Sequence, residues 1–538
     1  MSFKRSFLLL SVLIVAGIAI FWIVRGSGGS DKGQGALKSK EIAALDLSKA
    51  DAEVFKPYFA LSDCAGEELE ALGALAGLGF GESGDSNLSY SKREADGATI
   101  TYHDLLVEYE TGASHAFKAE QAIFHCAGMV QDGPSFDRLD LTNASISEND
   151  VTFSFGSLIV SHPDPETAAN LVEGILGKSQ ANPIGSAGFR GVSMADISMA
   201  TDGFEATLNS AAWGETRHDD NTGIADLLID TLNASFESPE RAEKMLITFD
   251  GMSARNLVLN NKAGQFVSPN DAVSSLLNGL TIYEKPYDEF IVDAVKIESV
   301  DFNLDFDGIE AKATETNDVV TVIQKLKPLT IKMGPNLKDN PAFATVYNYA
   351  ETLGFETLSL YGGSVTTLDK ASDTISVSDG QLVLEDGFTL NMEYSALGLN
   401  TMVNTLKTMS DYDQRADPMK PLNDLKLKAA RITLEDQSIT TKGMKLASEL
   451  MGVSEENIKR MLPGLPLAAA FAAKNDLEAE IYSETTSAFA SFVKKGGTLT
   501  LETNPPEPFS IGQLFGETVS EIDPKALGFS ASQDNLPR

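Results

Sequence analysis

One unbroken apolar run, Phe7 to Val24, reads FLLLSVLIVAGIAIFWIV, with Lys4 and Arg5 before it and Arg25 after it. A charge-free helix of that length is stable in a bilayer and costly in water. At about 1.5 Å per residue it reaches about 27 Å, close to the hydrocarbon thickness. Gly17 and Ala19 offer the small-x-small pattern of a cleaved signal peptide, but Ile20, Phe21, Trp22, Ile23 and Val24 continue the run beyond it. Trp22 followed by Arg25 suits an interfacial end. The run therefore predicts a retained transmembrane anchor over residues 1–25.

Lys4, Arg5 and the α-amino group favour a cytoplasmic N-terminus, whereas Arg25, Lys32, Lys38 and Lys40 oppose it. Long domains translocate largely regardless of such charges. The expected arrangement is a single span of the cytoplasmic membrane through residues 7–24, with the bulk of the chain exported. Residues 26–40 begin GSGGSDKGQG and read as a flexible tether.

The charge balance narrows the partners. There are 42 Lys+Arg against 77 Asp+Glu, a formal charge of −35. Such a surface repels duplex nucleic acid and anionic head groups, so no nucleic-acid partner is expected. Hydrophobic content of 43 % and charged content of 22 % are ordinary for a folded chain. The part after the tether, about 500 residues, is long enough for two or more cores. Cys64 and Cys126 are the two cysteines. In an exported domain they predict one disulfide, closing a loop of about 60 residues and contributing about 4 kcal/mol; two buried free thiols are the alternative reading.

Downstream, helix and strand text alternate. Glu67 to Leu78 places Leu69, Leu72, Leu75 and Leu78 at helical spacing. Thr374 to Tyr394 contains Asp379-Gly380 and Asp386-Gly387, dipeptides that tolerate positive φ, between alternating segments. It predicts a three-stranded antiparallel meander. Val151, Phe153 and Phe155, then Leu158 and Val160, predict a hairpin around Gly156, and Val300, Phe302, Leu304 and Phe306 predict a strand with one acidic face. Helix starts are expected at Asp164-Pro165, Ser268-Pro269, Pro341 and Ser454.

An apolar pattern at offsets zero, three, five and ten recurs from Phe136, Phe189, Val292, Phe355 and Leu422. Its odd step requires a bulge or a bend. Chance yields such a pattern about a dozen times at this composition, so the helices that follow each copy carry the expectation of repeated units more than the spacing does. The fold class is α+β: antiparallel meanders with interspersed helices packed on the sheets. The expected domains are 41–285 and 286–528, both α+β, with a loose polar tail at 529–538.

No motif assembles an active site. His103, His115, His125, His162 and His218 lack the short ligand spacings of a zinc site. Asn303-x-Asp305-x-Asp307-Gly308 resembles a calcium loop, but its twelfth position is Thr314 rather than Glu, and a strand face explains it. Gly77-x-Gly79-x-Gly81 follows a helix instead of a strand, which argues against dinucleotide binding. Ser491-x-x-Lys494 lacks the companion elements of serine acyl-enzymes. His218-Asp219-Asp220 near Trp213 reads as a polar loop. Asn87, Asn143 and Asn233 begin Asn-x-Ser triplets, which matter only in a eukaryotic secretory pathway. No catalytic, metal or cofactor residue is assigned, and no cofactor is expected.

The short anchor, the Gly-rich tether, the Leu139/Leu141, Leu358/Leu360 and Leu425/Leu427 strand text and the late GGTLTLETNPPEP stretch at Gly496 to Pro508 together resemble the AsmA-like and related large envelope proteins of Gram-negative bacteria. That resemblance implies a membrane-tethered periplasmic role in envelope maintenance or lipid handling, and carries no functional residue across. The frequent helices depart from a continuous groove. The expectation is a non-enzymatic envelope protein that binds a lipid or a protein partner. The alternative is a membrane-tethered hydrolase with a non-sequential active site.

Overall fold

The computed structural model describes residues 39–64, 66–80, 87–109, 116–130, 133–148, 151–177, 188–217, 222–238, 243–260, 285–334, 336, 338, 344–408, 420–464, 466, 476–514 and 527–534. The apolar run at 7–24, the tether up to residue 38, the helix expected after Ser268-Pro269, and the residues Gly81, His115 and His218-Asp219-Asp220 lie outside them. Among the described residues no helix is long and apolar enough to cross a membrane.

The chain divides into two compact units. One comprises Leu47–Ser275 with Tyr287–Val300, and the other Met1–Asp46, Leu276–Pro286 and Asp301–Arg538. The chain therefore changes unit after Asp46 and Val300 as well as near the 285–286 boundary read from the sequence.

Among the described residues, the first unit is an antiparallel sheet with two α-helices. Its early strands are β1 (Leu88–Ser89), β2 (Lys92–Asp96), β3 (Thr99–Glu108), β4 (Ala116–His125), the small hairpin β5 (Gly128–Val130) and β6 (Gly133–Ser135), β7 (Arg138–Glu148) and β8 (Val151–Ser161). Next come β9 (Gly191–Thr201), β10 (Phe204–Arg217), β11 (Thr222–Ile229), β12 (Leu232–Ser238), β13 (Glu243–Phe249), β14 (Met252–Asn260), β15 (Glu289–Val292) and β16 (Val295–Glu298). Strands β3, β4, β7, β8, β9 and β10 pair in that order, each antiparallel to its neighbour. The sheet then forks, β10 pairing with β11 along one stretch and with β12 along another.

A line of phase reversals crosses this sheet. In β3 the buried residues are Ile100 and Tyr102, then Leu105 and Val107. Asp104 lies between the two pairs at φ 49°. The pairing skips Asp104 opposite Glu120, Glu120 opposite Asn143, Asn143 opposite Gly156, and Asp196 opposite Asn209. Asn143 and Asp196 also have positive φ, which Asn and Asp tolerate better than most residues. Each skipped residue lets its strand present apolar side chains to the same core on both sides of the bend.

This corrects the hairpin expected at Gly156. Strand β8 runs straight through that residue, and a Cβ there would meet the Asp196 side chain 2.9 Å away, so glycine accommodates the neighbouring bulge. The same geometry explains the odd step of the recurring pattern in the copies that start at Phe136 and Phe189. Their bulged residues, Asn143 and Asp196, share one offset.

Helices α1 (Glu68–Gly77) and α2 (Pro165–Ile175) close the core of this unit. The α1 stripe is not the one expected. Ala71, Leu75 and Leu78 are buried, while Leu69 is 82 % exposed. Three successive i+3 steps drift about 60° each around the helix, so Leu69 and Leu78 cannot share a face; steps of four and three hold it. Phe80, Tyr102, Phe124 and Phe136 run through this core in tilted and edge-to-face contacts at centroid separations of 5.4, 6.2 and 5.3 Å.

The second unit contains β17 (Phe302–Phe306), β18 (Ile309–Thr316), β19 (Val319–Met333), β20 (Thr357–Asp369), β21 (Thr374–Leu384), β22 (Phe388–Leu397), β23 (Lys426–Asp436), β24 (Thr498–Thr503), β25 (Phe509–Ser510) and β26 (Phe529–Asp534). Strands β18 through β24 pair in order, all antiparallel. Among the described residues its longer helices are α3 (Ala344–Thr352), α4 (Leu399–Thr408), α5 (Ile439–Met451), α6 (Glu455–Met461) and α7 (Asp476–Lys495), beside a four-residue helix at Lys40–Ala43. Phe492 and Ala488 of α7 pack with Leu499 of β24.

Three expectations change here. Asp379-Gly380 is a bulge inside one continuous strand, β21, so residues 374–394 form two strands joined at Asp386-Gly387. Val300 precedes β17 and is 48 % exposed. Residues 529–534 are not a loose tail: β26 pairs with β24 from Thr503↔Phe529 to Thr498↔Asp534. Their polarity reflects alternation, with Phe529, Ala531 and Gln533 half-buried on the side of α7.

Candidate functional site

In the first unit, the ends of β4, β7, β8, β9 and β10 converge with two loops around a cleft of about 690 Å³. Val130, Phe136, Pro163, Pro165 and Phe189 give it an apolar lining. Asp137, Asp164, Arg190 and Glu215 supply charge, His162 adds an imidazole ring, and Ser62 and Cys126 form one wall.

Local chemistry pins each element of the rim. Asp164 caps α2, its Oδ1 accepting from Thr167 N at 2.7 Å, and Pro165 fills the first helical position. Gly188 N donates to Thr167 Oγ1 at 3.0 Å, and buried Ser135 Oγ donates to the Pro163 carbonyl at 3.0 Å. His162 has φ 49°, an uncommon backbone state for histidine. Its N–H donates to the Asp137 carbonyl at 2.6 Å, and its Nε2 lies 3.1 Å from Asp137 Oδ1.

Asp137 is the hub of the wall. Its carboxylate also accepts from Ser62 N at 2.7 Å and from Ser62 Oγ at 3.2 Å. Serine, aspartate and histidine thus meet, but the carboxylate stands between the other two. A nucleophilic triad needs the histidine in the middle, taking the serine proton. Here the Ser62 hydroxyl is committed to Asp137, so this trio lacks the order of a nucleophilic triad.

The Ser62 side of the wall belongs to a strap, residues 47–64, laid across the sheet. Its 3-10 segment Ala52–Phe59 buries Phe55 against Ala212 and Leu228. Tyr58 OH donates to Asp226 Oδ2 at 3.0 Å. Asp226 is 4 % exposed and also accepts from Arg255 Nε at 3.1 Å and Asn256 N at 2.8 Å, so this buried charge is fully paired. At one end of the strap, Lys49 Nζ donates to Asp230 at 2.7 Å and to the Asp250 carbonyl at 2.9 Å. The Lys49 hydrogen bond is the main cause holding the Asp230 carboxyl below its ordinary range, against a smaller opposing effect of burial. At the other end, Ser161 Oγ donates to the Tyr58 carbonyl at 2.7 Å and Arg138 Nη1 to the Phe59 carbonyl at 3.0 Å. Arg138 is itself fixed by a two-pronged contact with Asp140, at 2.7 and 2.8 Å, with His125 Nε2 3.1 Å from the same carboxylate.

Beyond Phe59 the fastening changes character. Ala60, Leu61, Ser62, Asp63 and Cys64 are all exposed. They are held by the two Ser62 contacts and by a disulfide from Cys64 to Cys126, with Cα atoms 5.1 Å apart. Two exposed hydrogen bonds contribute about 1 kcal/mol each, whereas ordering a residue costs about 1–2 kcal/mol. Five ordered residues therefore need the covalent link.

The remaining sequence candidates sit in structural roles. His103 Nε2 lies 3.4 Å from Glu94 Oε2, linking the paired strands β3 and β2. Asn303 and Asp305 occupy the exposed face of β17. Ser491 Oγ donates to Gln533 Oε1 at 2.9 Å, tying α7 to β26. Gly77 packs toward Pro134. Asn143 and Asn233 lie within strands β7 and β12. Among the described residues no group of three or more His, Cys, Asp or Glu could hold a metal. Sequence reasoning missed Ser62, Asp137, Arg138 and Asp140: the last three are close in sequence but read as ordinary strand text, and Ser62 is 75 residues from Asp137; His162-Pro163-Asp164 before a helix start was the nearest signal.

A protein family described as "Uncharacterized protein" matches residues 381–534, which take in the end of β21, strands β22 to β26 and helices α4 to α7. No curated protein matches the chain.

Proposed function

We propose that this chain is a single-pass, membrane-tethered envelope protein whose exported part binds a small, largely apolar ligand, or an apolar end of a lipid or protein partner, in the cleft of the first unit. The reading rests mainly on that cleft. Its volume falls within the range of ligand sites, and its lining is chiefly apolar with a few placed polar groups. Asp137 and Asp164 are engaged in holding the rim, so they act as framework.

The apolar run at 7–24 supports the anchor, and a disulfide suits an oxidising compartment on the periplasmic side. The resemblance to AsmA-like envelope proteins points the same way. The shared bulge offset in the Phe136 and Phe189 copies supports a repeated strand unit. The test is purification of the full chain from its native membrane, followed by mass spectrometry of the organic extract and of any co-purifying peptide. A stoichiometric apolar ligand is the expected result; a clean, ligand-free protein counts against it. A C-terminal reporter active in one compartment only checks the orientation separately.

A further inference from the structure

We infer that the Cys64–Cys126 cystine is a thiol-sensitive latch that sets whether the cleft has its strap-side wall. The inference rests on the cleft being the working site, and it adds a means of control.

The geometry isolates the latch from the rest of the fold. The strap up to Phe59 is anchored by buried aromatic packing and by Ser161 and Arg138. Residues 60–64 bury no side chain. Cys64 itself is exposed, so an incoming thiolate reaches its sulfur without unfolding the sheet. Cys126 lies just past the end of β4, at φ 51°, and lines the cleft. Breaking the link therefore releases Ser62 and its neighbours, while Phe136, His162 and Phe189 keep their places on strand ends.

The reaction needs a dithiol, which we name as the class of reductant. One of its thiolates attacks Cys64 Sγ, the bond to Cys126 breaks, and Cys126 leaves as a thiolate that takes a proton from water. The second thiol then attacks the mixed disulfide. It releases Cys64 as a thiol and closes the reductant into a cyclic disulfide, so two electrons pass from the dithiol to the protein.

The test uses the full chain in lipid nanodiscs, with and without dithiothreitol, in three measurements. Alkylation and mass spectrometry give the redox state. Hydrogen exchange follows residues 60–66 and the strands β7 and β8. Hydroxyl-radical labelling follows Phe136, which is 3 % exposed in the closed cleft. The expected result is reduction under native conditions, at least tenfold faster exchange of the Ser62 amide, unchanged protection of β7 and β8, and increased labelling of Phe136. A Cys64→Ser/Cys126→Ser variant should reproduce the open state without reductant. The latch is overturned if the cystine resists the dithiol until the sheet unfolds, if β7 and β8 lose protection together with the loop, or if the reduced chain keeps Ser62 and Phe136 as protected as before. None of these readouts depends on a ligand, so a failed latch leaves the ligand search intact, and an empty extract leaves the latch result intact.

Discussion

Tyr58 lies directly over Gly214. A side chain at that position would occupy the space of the tyrosine ring, and the ring's hydroxyl continues past it to the buried carboxylate of Asp226 at 3.0 Å. Gly214 pairs across the strands with Gly191, where a Cβ would press on Phe59 and Tyr58 at 3.0–3.1 Å. The paired glycines form a bare strip on the sheet into which the aromatic strap fits. Gly214→Ala should therefore lift the strap, costing about 1–3 kcal/mol as overpacking does. Tyr58→Phe keeps the ring but removes one donor from Asp226, at a cost of about 1–2 kcal/mol. Denaturant midpoints of the single variants and of Tyr58→Ala/Gly214→Ala give the coupling. The double variant should cost clearly less than the sum of its parts, because the clash needs the ring. Strict additivity would mean the ring does not rest on Gly214.

The Lys49 end of the strap should respond to acid. The Asp230 carboxyl is held below its ordinary value of 3.8, chiefly by the Lys49 hydrogen bond. A depressed carboxylate contributes stability that is complete above its unfolded value and is lost as pH falls through its folded one. Exchange of the Ala50 amide, which donates to Ser253 Oγ at 3.1 Å, should therefore be insensitive to pH-linked opening from pH 7 to about 5 and should rise, after correction for intrinsic rates, below about pH 4. Asp230→Asn should remove that acid step. Since both side chains are partly exposed, at 26 % and 35 %, salt should also weaken the contact.

Strands were legible as strands because alternation survives almost everywhere, as in Phe302 to Phe306. What alternation could not tell was whether an Asp or Asn at positive φ ends a strand or bends it. Asp386-Gly387 turns the chain, whereas Asp379-Gly380 bulges it, and both meet the same local requirement. The choice is made by the partner strand, β22, which continues past the bulge, and that information is absent from the dipeptide. Leu69 was misread for a related reason: spacing of three looks helical locally, and only the packed face shows the drift. The cleft was hardly legible at all. Its wall, hub and rim come from Ser62, Asp137 and His162, and its strap is fastened by contacts as distant in sequence as Lys49 with Asp230. The cysteine pair was visible only by its count.

The bulge itself can be tested. At Gly380 a Cβ would come within 2.6 Å of the Met392 carbonyl, and the register shifts between Val377 and Gly380. Gly380→Ala should destabilise the second unit by about 1–3 kcal/mol through forced backbone movement. Asp379→Gly should be neutral or mildly favourable, since glycine adopts positive φ without strain. If residues 379–380 were a hairpin turn instead, Gly380→Ala would be tolerated much as other turn substitutions are. Urea midpoints of the two variants separate the cases.

Alkali should attack the first unit through Tyr102. Its ring is 1 % exposed, between Phe80 at 5.4 Å and Tyr90 at 5.1 Å. Burial, which outweighs the opposing effect of nearby Arg93, pushes its phenol up to about 12. A phenol whose folded value is raised contributes stability that is complete below its unfolded value near 10. That stability is lost as pH rises toward the folded one. The difference between the two values corresponds to about 2–3 kcal/mol by pH 12. Urea midpoints of the native chain should therefore fall between pH 10 and 12. Tyr102→Phe keeps the ring contacts and carries no ionisable group, so its midpoint should fall distinctly less over the same range. An equal fall in both proteins would show that some other group drives the alkaline loss.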